Sequence, residues 1–265
     1  MRFQDSFNDT KKYVITFPFD QAEAIISFFH FRLIFVFSHV PHPQVNPNQF
    51  PKMRLSLIGM SGAGKSFWAK RMQSQGYRSI ICDNLIAEQL GPLIKSSEKS
   101  TLGLAAWMGK PDQPGYKEAQ AKYLELETKV VTQICDELEQ SSESDDKVII
   151  DTTGSLIYLE SQLIKRIKKL SFLVYLRLEE NNSQSHYQIF IDDPKPVIWG
   201  KHYAPEPGEK PEASLRRCYP KLLSFRDQEY DRIADCTLEY SFHHGAETCP
   251  SEMLDAIHNM KKNAS

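Results

Sequence analysis

The 265-residue sequence lacks the features that mark several classes of protein. Its five cysteines are scattered and include no CxxC pair, so we expect reduced thiols, no disulfide scaffold and a cytoplasmic location. Neither charge dominates, because 32 basic residues stand against 34 acidic ones, and this balance gives no reason to expect a nucleic-acid partner. No internal repeat is visible. With 41% hydrophobic residues, the length predicts one large domain, or one domain with an appendage, that buries a sizeable core.

The first 51 residues differ in character from the rest of the chain. The apolar run from Ala22 to Val40 is interrupted by His30 and Arg32, and a charge inside a membrane span is costly, so a span here is marginal. The following tract, residues 41–51, contains four prolines and is typical of a linker. We interpret residues 1–51 as an N-terminal extension and linker that need not fold, with a membrane anchor and a small packed appendage as alternatives. The principal domain is expected at residues 52–265.

The most specific motif is a phosphate-binding loop. Residues 59–66 fit the pattern GxxxxGK[ST], an apolar strand, Leu55–Ile58, precedes them, and a helix is predicted to begin at Ser66. This spacing suits the chemistry, because glycines let backbone N–H groups surround a phosphate, lysine reaches the outer phosphates and the hydroxyl binds Mg²⁺. The sequence therefore predicts a nucleotide with Mg²⁺ as the cofactor. The candidate nucleotide-binding residues here are Gly59, Ser61, Gly62, Ala63, Gly64, Lys65, Ser66 and Phe67.

Two aspartates follow predicted strands. Asp83 comes after the strand Ser79–Cys82, and Asp151 comes after the strand Lys147–Ile150. Because the carboxyl ends of parallel strands face the ligand crevice of an open α/β sheet, we expect both carboxylates near the phosphate loop. Asp151 is predicted to share the metal with Ser66, and both Lys65 and Asp151 are candidate catalytic residues. The alternatives are an N-cap role for Asp83 and a turn-capping role for Asp151.

The order of predicted elements indicates an α/β fold with a central, mostly parallel sheet. Further strands are predicted at Phe172–Leu176 and Cys236–Leu238, and helices at Tyr116–Glu139 and Pro250–Lys261. The first of these helices carries apolar residues at steps of three and four, so one of its faces belongs to the core. Its carboxylates are predicted to be solvated, namely those of Glu125, Glu127 and Glu137.

Over roughly residues 53–260 the sequence resembles the shikimate kinase family of P-loop kinases. Asp83 stands eighteen positions after Lys65, and the segment from Arg226 through Tyr230 to Asp235 is similar to the RxxxYxxxAD segment of that family. The resemblance implies a three-layer P-loop kinase fold and transfer of the γ-phosphoryl group of ATP, with Mg²⁺, to a small hydroxylated metabolite. It also implies that Asp83 acts on the acceptor hydroxyl and that Arg226 binds an acidic group of the acceptor.

The sequence departs from that family on the acceptor side. Ile81 occupies the position of a further aspartate, and Thr153-Gly154-Ser155 replaces a triplet of glycines, so that only Gly154 is kept as a candidate substrate-binding residue. Leu124 stands where the family's FRxxE segment has an arginine. Leucine cannot supply the bidentate contact that an arginine makes with a carboxylate. We therefore expect an acceptor other than shikimate, such as a sugar acid or a nucleotide.

The family also closes a lid segment over ATP, and the resemblance implies a lid at about residues 192–213. Lys195 stands near the position of the family's RPLL phrase and is a further candidate for contact with the nucleotide. This stretch is rich in proline and glycine, and long irregular loops within compact domains are usually functional or disordered. The alternative interpretation is a surface insertion.

Two classes of function agree with these residues. One is a small-molecule kinase, with a nucleoside or nucleotide kinase as the rival acceptor class. The other is a nucleotide-binding regulator or a degenerate kinase with slow ATPase activity, which the departures at Ile81, Leu124 and Thr153 would suit. The expected partner in the first case is a small-molecule acceptor, and the sequence does not indicate an oligomeric state.

Overall fold

The chain divides into two compact units, residues 1–46 and 47–265. The computed structural model describes residues 12–16, 23–29, 32–38, 53–94, 101–141, 147–179, 183–245 and 248–264. In the first unit, three strands form an antiparallel sheet in the order β1 (Lys12–Thr16), β2 (Glu23–Phe29) and β3 (Arg32–Ser38). The apolar run Ala22–Val40 thus contains two of these strands. Within the described ranges, no helix has both the length and the apolar character that crossing a membrane requires.

The second unit is built on a five-stranded parallel sheet of order β5-β6-β4-β7-β8. Its strands are β4 (Arg54–Ile58), β5 (Arg78–Ile81), β6 (Val148–Asp151), β7 (Phe172–Leu176) and β8 (Cys236–Leu238). The three inner strands read as near-continuous apolar runs because parallel sheets are covered on both faces. The predicted α/β class with a mostly parallel central sheet is confirmed.

Helices cover both faces of this sheet and make it the middle of three layers. They are α1 (Lys65–Arg71), α2 (Cys82–Leu90), α3 (Thr101–Met108), α4 (Tyr116–Gln140), α5 (Ser161–Leu170), α6 (Ser183–Asp192), α7 (Pro211–Ile233), α8 (Tyr240–His243) and α9 (Pro250–Ala264). Side chains alternate across a strand. Accordingly, Leu173 and Tyr175 of β7 pack with α4 and α7, whereas Val174 and Leu176 pack with α1 and α9. All five cysteines are free thiols, and four of them are buried in these layers.

The sheet order brings the carboxyl ends of three strands together. β4 lies at the centre and leads directly into the phosphate loop, and Asp151 of β6 is in register with both Leu57 of β4 and Ile81 of β5. The end of β6 is therefore adjacent to the starts of the phosphate loop and of α2. This edge of the sheet is where open α/β folds bind ligands.

The prediction that Glu127 is solvated is wrong. Glu125 and Glu137 are exposed, but the Glu127 side chain is 0% exposed. Glu127 lies one turn after the buried Tyr123 and next to the buried Leu126, so it falls on the inward face of α4. A buried carboxylate is tolerated when its oxygens are hydrogen-bonded, and two hydroxyl groups do this here, as described below.

Candidate active site

The phosphate loop, residues 59–66, connects β4 to α1 and depends on its glycines. Gly59, Gly62 and Gly64 have φ angles of 142°, 86° and 87°, which L side chains rarely adopt. Gly59 is also confined by its surroundings, because a Cβ atom there would lie 2.7 Å from the carbonyl oxygen of Leu176 in β7. The first glycine of the motif thus lets the loop leave the sheet next to β7.

Replacement of Gly59 by alanine is expected to lower the free energy of unfolding by about 1–3 kcal/mol, the usual range for a strained backbone position. The loss arises from the unfavourable φ angle together with the close approach to Leu176. Gly62→Ala is the matched control, because Gly62 also has a positive φ angle but has no atom within 4 Å of its Cβ position. Denaturant melts of both variants measure the difference. Equal losses at the two positions would show that the contact with Leu176 contributes nothing.

Lys65 is the first residue of α1 and its side chain lies inside the loop. Its Nζ donates hydrogen bonds of 2.9 Å to the carbonyl oxygens of both Gly59 and Met60. Burial lowers the pKa of Lys65, while the negative charges of Asp151 and Asp83 act in the opposite direction. A cation is therefore held at the centre of the loop, where it can turn towards phosphate oxygens.

Ser66 and Asp151 form the second pair at this edge. Ser66 Oγ donates a hydrogen bond of 2.5 Å to Asp151 Oδ2. Burial raises the pKa of Asp151, and both Lys65 and the Ser66 hydrogen bond oppose that shift. A hydroxyl group beside a carboxylate provides the oxygen ligands that Mg²⁺ prefers, so the two residues fit this ion. In the described part of the chain, no group of three or more His, Cys, Asp or Glu side chains is arranged to hold a metal ion.

Asp83 lies in the first turn of α2 and not at the end of a strand. The helix is capped by Ile81, and the carboxylate of Asp83 instead accepts a hydrogen bond of 2.7 Å from the Tyr123 hydroxyl of α4. The alternative N-cap role is therefore not observed. Burial raises the pKa of Asp83, whereas Tyr123, Lys65 and Lys195 lower it. The hydrogen bond from Tyr123 therefore orients the Asp83 carboxylate, and the charges of Asp83 and Lys65 influence each other's pKa.

Arg226 of α7 is buried, with 1% of its side chain exposed. Its Nη2 donates a hydrogen bond of 2.7 Å to the Ile198 carbonyl oxygen, and its guanidinium lies 5.5 Å from the centre of the Tyr158 ring. The buried Nε atom has no hydrogen-bond partner among the described residues, and no carboxylate there is hydrogen-bonded or ion-paired with Arg226. A buried cation without an anionic partner is costly, and an anionic ligand would remove that cost.

Gly154 joins Arg226 to the phosphate loop. A Cβ atom added at Gly154 would lie 3.3 Å from Arg226 Nη1 and 3.6 Å from the backbone nitrogen of Ser61. Its carbonyl oxygen accepts a hydrogen bond of 2.5 Å from the Tyr230 hydroxyl. The structure therefore places the two candidate acceptor-binding residues side by side, next to the loop that would hold the nucleotide.

The predicted lid region is partly buried. Between the end of α6 at Asp192 and the start of α7 at Pro211, Val197, Ile198 and Trp199 lie in the core. Tyr116 of α4 holds this part, because its hydroxyl donates to the Val197 carbonyl oxygen and accepts from the Trp199 N–H. Residues 204–208 are exposed. A lid at about residues 192–213 stays a prediction, and in this structure its centre is anchored to α4.

Two of the predicted nucleotide contacts lie away from the loop centre. Lys195 forms an ion pair with Asp193 at 2.9 Å, and its positive charge lowers the pKa of Asp83. The Phe67 side chain is 56% exposed and packs against the guanidinium of Arg71, 5.3 Å from its ring centre. Among the described residues no side-chain hydrogen bond joins Lys195 or Phe67 to the phosphate loop, and their proposed contact with the nucleotide stays a prediction.

The sequence analysis missed a hydrogen-bonded cluster beside Gly154. The hydroxyl groups of Thr153 and Ser155 both donate to the carboxylate of Glu127. The spacing of Tyr123 and Glu127, one helical turn apart on a face already predicted to be buried, was the signal that could have revealed it.

No family model matches this sequence, and no curated protein matches it at a significant level. Among solved structures, shikimate kinase from Acinetobacter baumannii in complex with shikimate superposes with a TM-score of 0.52 at 17% sequence identity, covering 80% of this chain and 94% of that one. The chain has a P-loop kinase fold. Two further structures align over similar shares: shikimate kinase from Bacteroides thetaiotaomicron (16% identity, TM-score 0.47, 79% of this chain and 97% of that one) and dephospho-CoA kinase from Campylobacter jejuni (14%, 0.43, 80% and 98%).

The P-loop kinase fold confirms the resemblance drawn from the phosphate loop and from the segment that begins at Arg226. At this identity the similarity establishes the arrangement of strands and helices. The function must be argued from the side chains at the edge of the sheet.

Proposed function

We propose that this protein is a kinase that uses ATP and Mg²⁺ to phosphorylate a hydroxyl group of a small, anionic metabolite. The observation that supports this most is the convergence of four kinds of group at one edge of the sheet. These are the buried lysine of the phosphate loop, the Ser66–Asp151 pair, the Asp83 carboxylate and the buried Arg226 guanidinium, which has no carboxylate partner among the described residues. The first three correspond to recurring parts of phosphoryl-transfer sites, and the guanidinium suits an anionic acceptor.

On the nucleotide side, the residues of the chain bind and orient the phosphates. Lys65 exchanges its bonds to the Gly59 and Met60 carbonyl oxygens for bonds to the β- and γ-phosphates. Ser66 and Asp151 would hold Mg²⁺, and the bound ion would supply positive charge where negative charge develops during transfer. Catalysis on this side consists of positioning and electrostatic stabilisation.

On the acceptor side, Asp83 receives the proton of the attacking hydroxyl group. As the acceptor oxygen bonds to the γ-phosphorus, the bond from that phosphorus to the bridging oxygen of ADP breaks. Asp83 is suited to this role because Tyr123 orients its carboxylate and burial raises its pKa. Arg226 anchors the anionic group of the acceptor beside Gly154.

The acceptor pocket differs from one built for shikimate. Leu124 provides no cationic anchor at the position where the shikimate kinase family has an arginine, so the proposed anchor for the anionic group is Arg226. A sugar acid or a nucleotide satisfies this requirement, and the fold shared with shikimate kinase supports a small acceptor in general.

One observation favours a second candidate function, that of a nucleotide-binding regulator or slow ATPase. The Ile198 carbonyl oxygen already accepts a hydrogen bond from Arg226, so the segment around Ile198 partly occupies the proposed anion anchor. In such a regulator the nucleotide would alter this segment, and no acceptor would be phosphorylated.

A coupled ADP-release assay with ATP and Mg²⁺ separates the two functions. The acceptor panel comprises sugar acids, shikimate, nucleosides and nucleoside monophosphates, and Lys65→Ala is the control. Release that an acceptor stimulates, and that the variant loses, supports the kinase. ATP binding without stimulation by any acceptor supports the regulator.

Replacement of Arg226 by methionine is expected to raise the KM for an anionic acceptor about 10- to 100-fold, because a hydrogen bond to a charged group contributes roughly 1.5–3 kcal/mol. The dissociation constant for ATP should change less than about twofold, since Arg226 faces the acceptor side. Arg232→Met, at an exposed position of the same helix, is the matched control. An unchanged KM for the acceptor in Arg226→Met would remove Arg226 from the binding site.

A further inference from the structure

Glu127, Thr153 and Ser155 form a closed ring of hydrogen-bonding oxygens. Thr153 Oγ1 donates to Glu127 Oε1, and Ser155 Oγ donates to Glu127 Oε2 at 2.5 Å. The two hydroxyl oxygens are themselves only 3.0 Å apart, within hydrogen-bonding distance. All three side chains are buried, with 0%, 2% and 3% exposed. The ring is therefore isolated from water.

Each oxygen of this ring can have a hydrogen-bond partner whether or not Glu127 carries a proton. In the carboxylate form, both hydroxyl groups donate to Glu127. In the acid form, Glu127 donates to Thr153, Thr153 donates to Ser155, and Ser155 donates to the other carboxyl oxygen, so each oxygen keeps a partner. Because buried polar groups must be hydrogen-bonded, an interior carboxyl group can change protonation only where each oxygen has a partner in both forms. The ring around Glu127 meets this condition, although the direction of its hydrogen bonds changes.

The ring also holds the loop that forms the acceptor side of the site. The Thr152 hydroxyl donates to the Leu57 carbonyl oxygen of β4 at 2.7 Å, which fixes one end of the loop to the sheet. Thr153 and Ser155 then attach it to α4, and Gly154 between them faces Arg226 and the phosphate loop. A change in the direction of the hydrogen bonds at Thr153 and Ser155 must act on the peptide groups on both sides of Gly154.

We propose that Glu127 is a positioning residue which sets the placement of Gly154 against Arg226 through Thr153 and Ser155, and that the gain or loss of one proton on Glu127 changes this placement. That the loop of residues 152–155 forms the acceptor side of the site depends on the proposed function. The coupling of Glu127 to Gly154 is independent of it.

Burial is the main influence on the pKa of Glu127, and neighbouring groups modify it. Burial raises the pKa of Glu127 to about 7, and the hydrogen bonds from Ser155 and Thr153 oppose the shift. Asp83 raises this pKa further and Arg226 lowers it. The ionisable groups that face Glu127 are Cys82 and Asp83 of α2, Tyr123 of α4, and Arg226 and Tyr230 of α7.

A selectively labelled sample can follow Gly154 directly. Thr153-Gly154 is the only Thr-Gly pair in the sequence, so protein labelled with [¹³C′]threonine and [¹⁵N]glycine gives a single amide signal in an HNCO experiment. We expect this signal of the nucleotide-free, full-length protein to shift along a one-proton titration curve with a midpoint near 7. In Glu127→Gln the same signal should not shift between about pH 5.5 and 8.5, because one proton state has been fixed.

Two further variants complete the test. Ser155→Ala keeps the carboxyl group but removes one of its donors, so the midpoint should move upward, and this variant also serves if Glu127→Gln does not fold. Glu125→Gln changes an exposed carboxylate on the same helix and should leave the curve unchanged. A Gly154 signal that does not titrate in the unmodified protein, or that titrates equally in Glu127→Gln, would overturn the proposal. Since no nucleotide or acceptor is present, the result does not depend on whether the protein transfers a phosphoryl group.

Discussion

Lys65→Ala is expected to lower acceptor-dependent ADP release about 100- to 1,000-fold, the effect typical of removing one preorganised donor from a charge-stabilising site. Lys65 is the buried cation of the phosphate loop, and its Nζ is held by two carbonyl oxygens at the point where phosphate oxygens would bind. Alanine removes this charge and leaves the glycines of the loop in place. Steady-state ADP release, with thermal unfolding measured in parallel, separates loss of catalysis from loss of fold.

Lys70→Ala is the matched control for this change. Lys70 lies on the same helix, α1, but is exposed, so its removal should alter ADP release less than about twofold. If Lys65→Ala retained a third or more of the activity while Lys70→Ala retained all of it, the phosphate loop would not be the site of transfer.

Asp83→Asn is expected to reduce acceptor-dependent turnover about 100- to 10,000-fold, the range for loss of a general base. Asparagine has the same shape and can still accept a hydrogen bond from Tyr123, but it cannot take the proton of the acceptor hydroxyl. ATP affinity should be unchanged, since Lys65, Ser66 and the loop backbone are unaltered. The measurement is kcat with saturating acceptor, together with the dissociation constant for ATP.

Tyr123→Phe and Glu88→Gln provide the comparisons. Tyr123 lowers the pKa of Asp83, so its loss should move the acidic limb of the pH–rate profile to higher pH with a smaller drop in turnover. Glu88 is an exposed acid of α2, and its replacement should have no effect. Turnover by Asp83→Asn within about threefold of the unmodified protein would exclude Asp83 as the base.

Several elements could be predicted from local sequence alone. The strands Phe172–Leu176 and Cys236–Leu238 have the bounds that the sequence indicated. For Phe172–Leu176 the reason is that an inner strand covered on both faces appears as a short, continuous apolar run. The phosphate loop was equally clear, since its motif encodes the positive φ angles that the backbone needs.

Other features depend on contacts that a local pattern does not contain. The apolar pattern predicted that the strand of β5 continues to Cys82. In the structure the strand ends at Ile81 and α2 begins at Cys82, so Asp83 lies in a helix. The partners of Glu127 lie 26 and 28 positions away, and a glutamate on a helix is solvated by default. Trp199 lies in the stretch that was predicted to be irregular, and it is buried because its ring packs against Phe190 of α6 and Tyr219 of α7.

The two hydrogen bonds that Lys65 makes to Gly59 and Met60 also affect how quickly a nucleotide can be captured. They connect the lysine to the beginning of its own loop, so the loop is already curved when no nucleotide is present. Little conformational entropy is then lost on association, and preorganised sites of this kind gain affinity by avoiding that loss. Nucleotide association should accordingly be a single step whose rate increases linearly with nucleotide concentration, with no slow ordering of the loop.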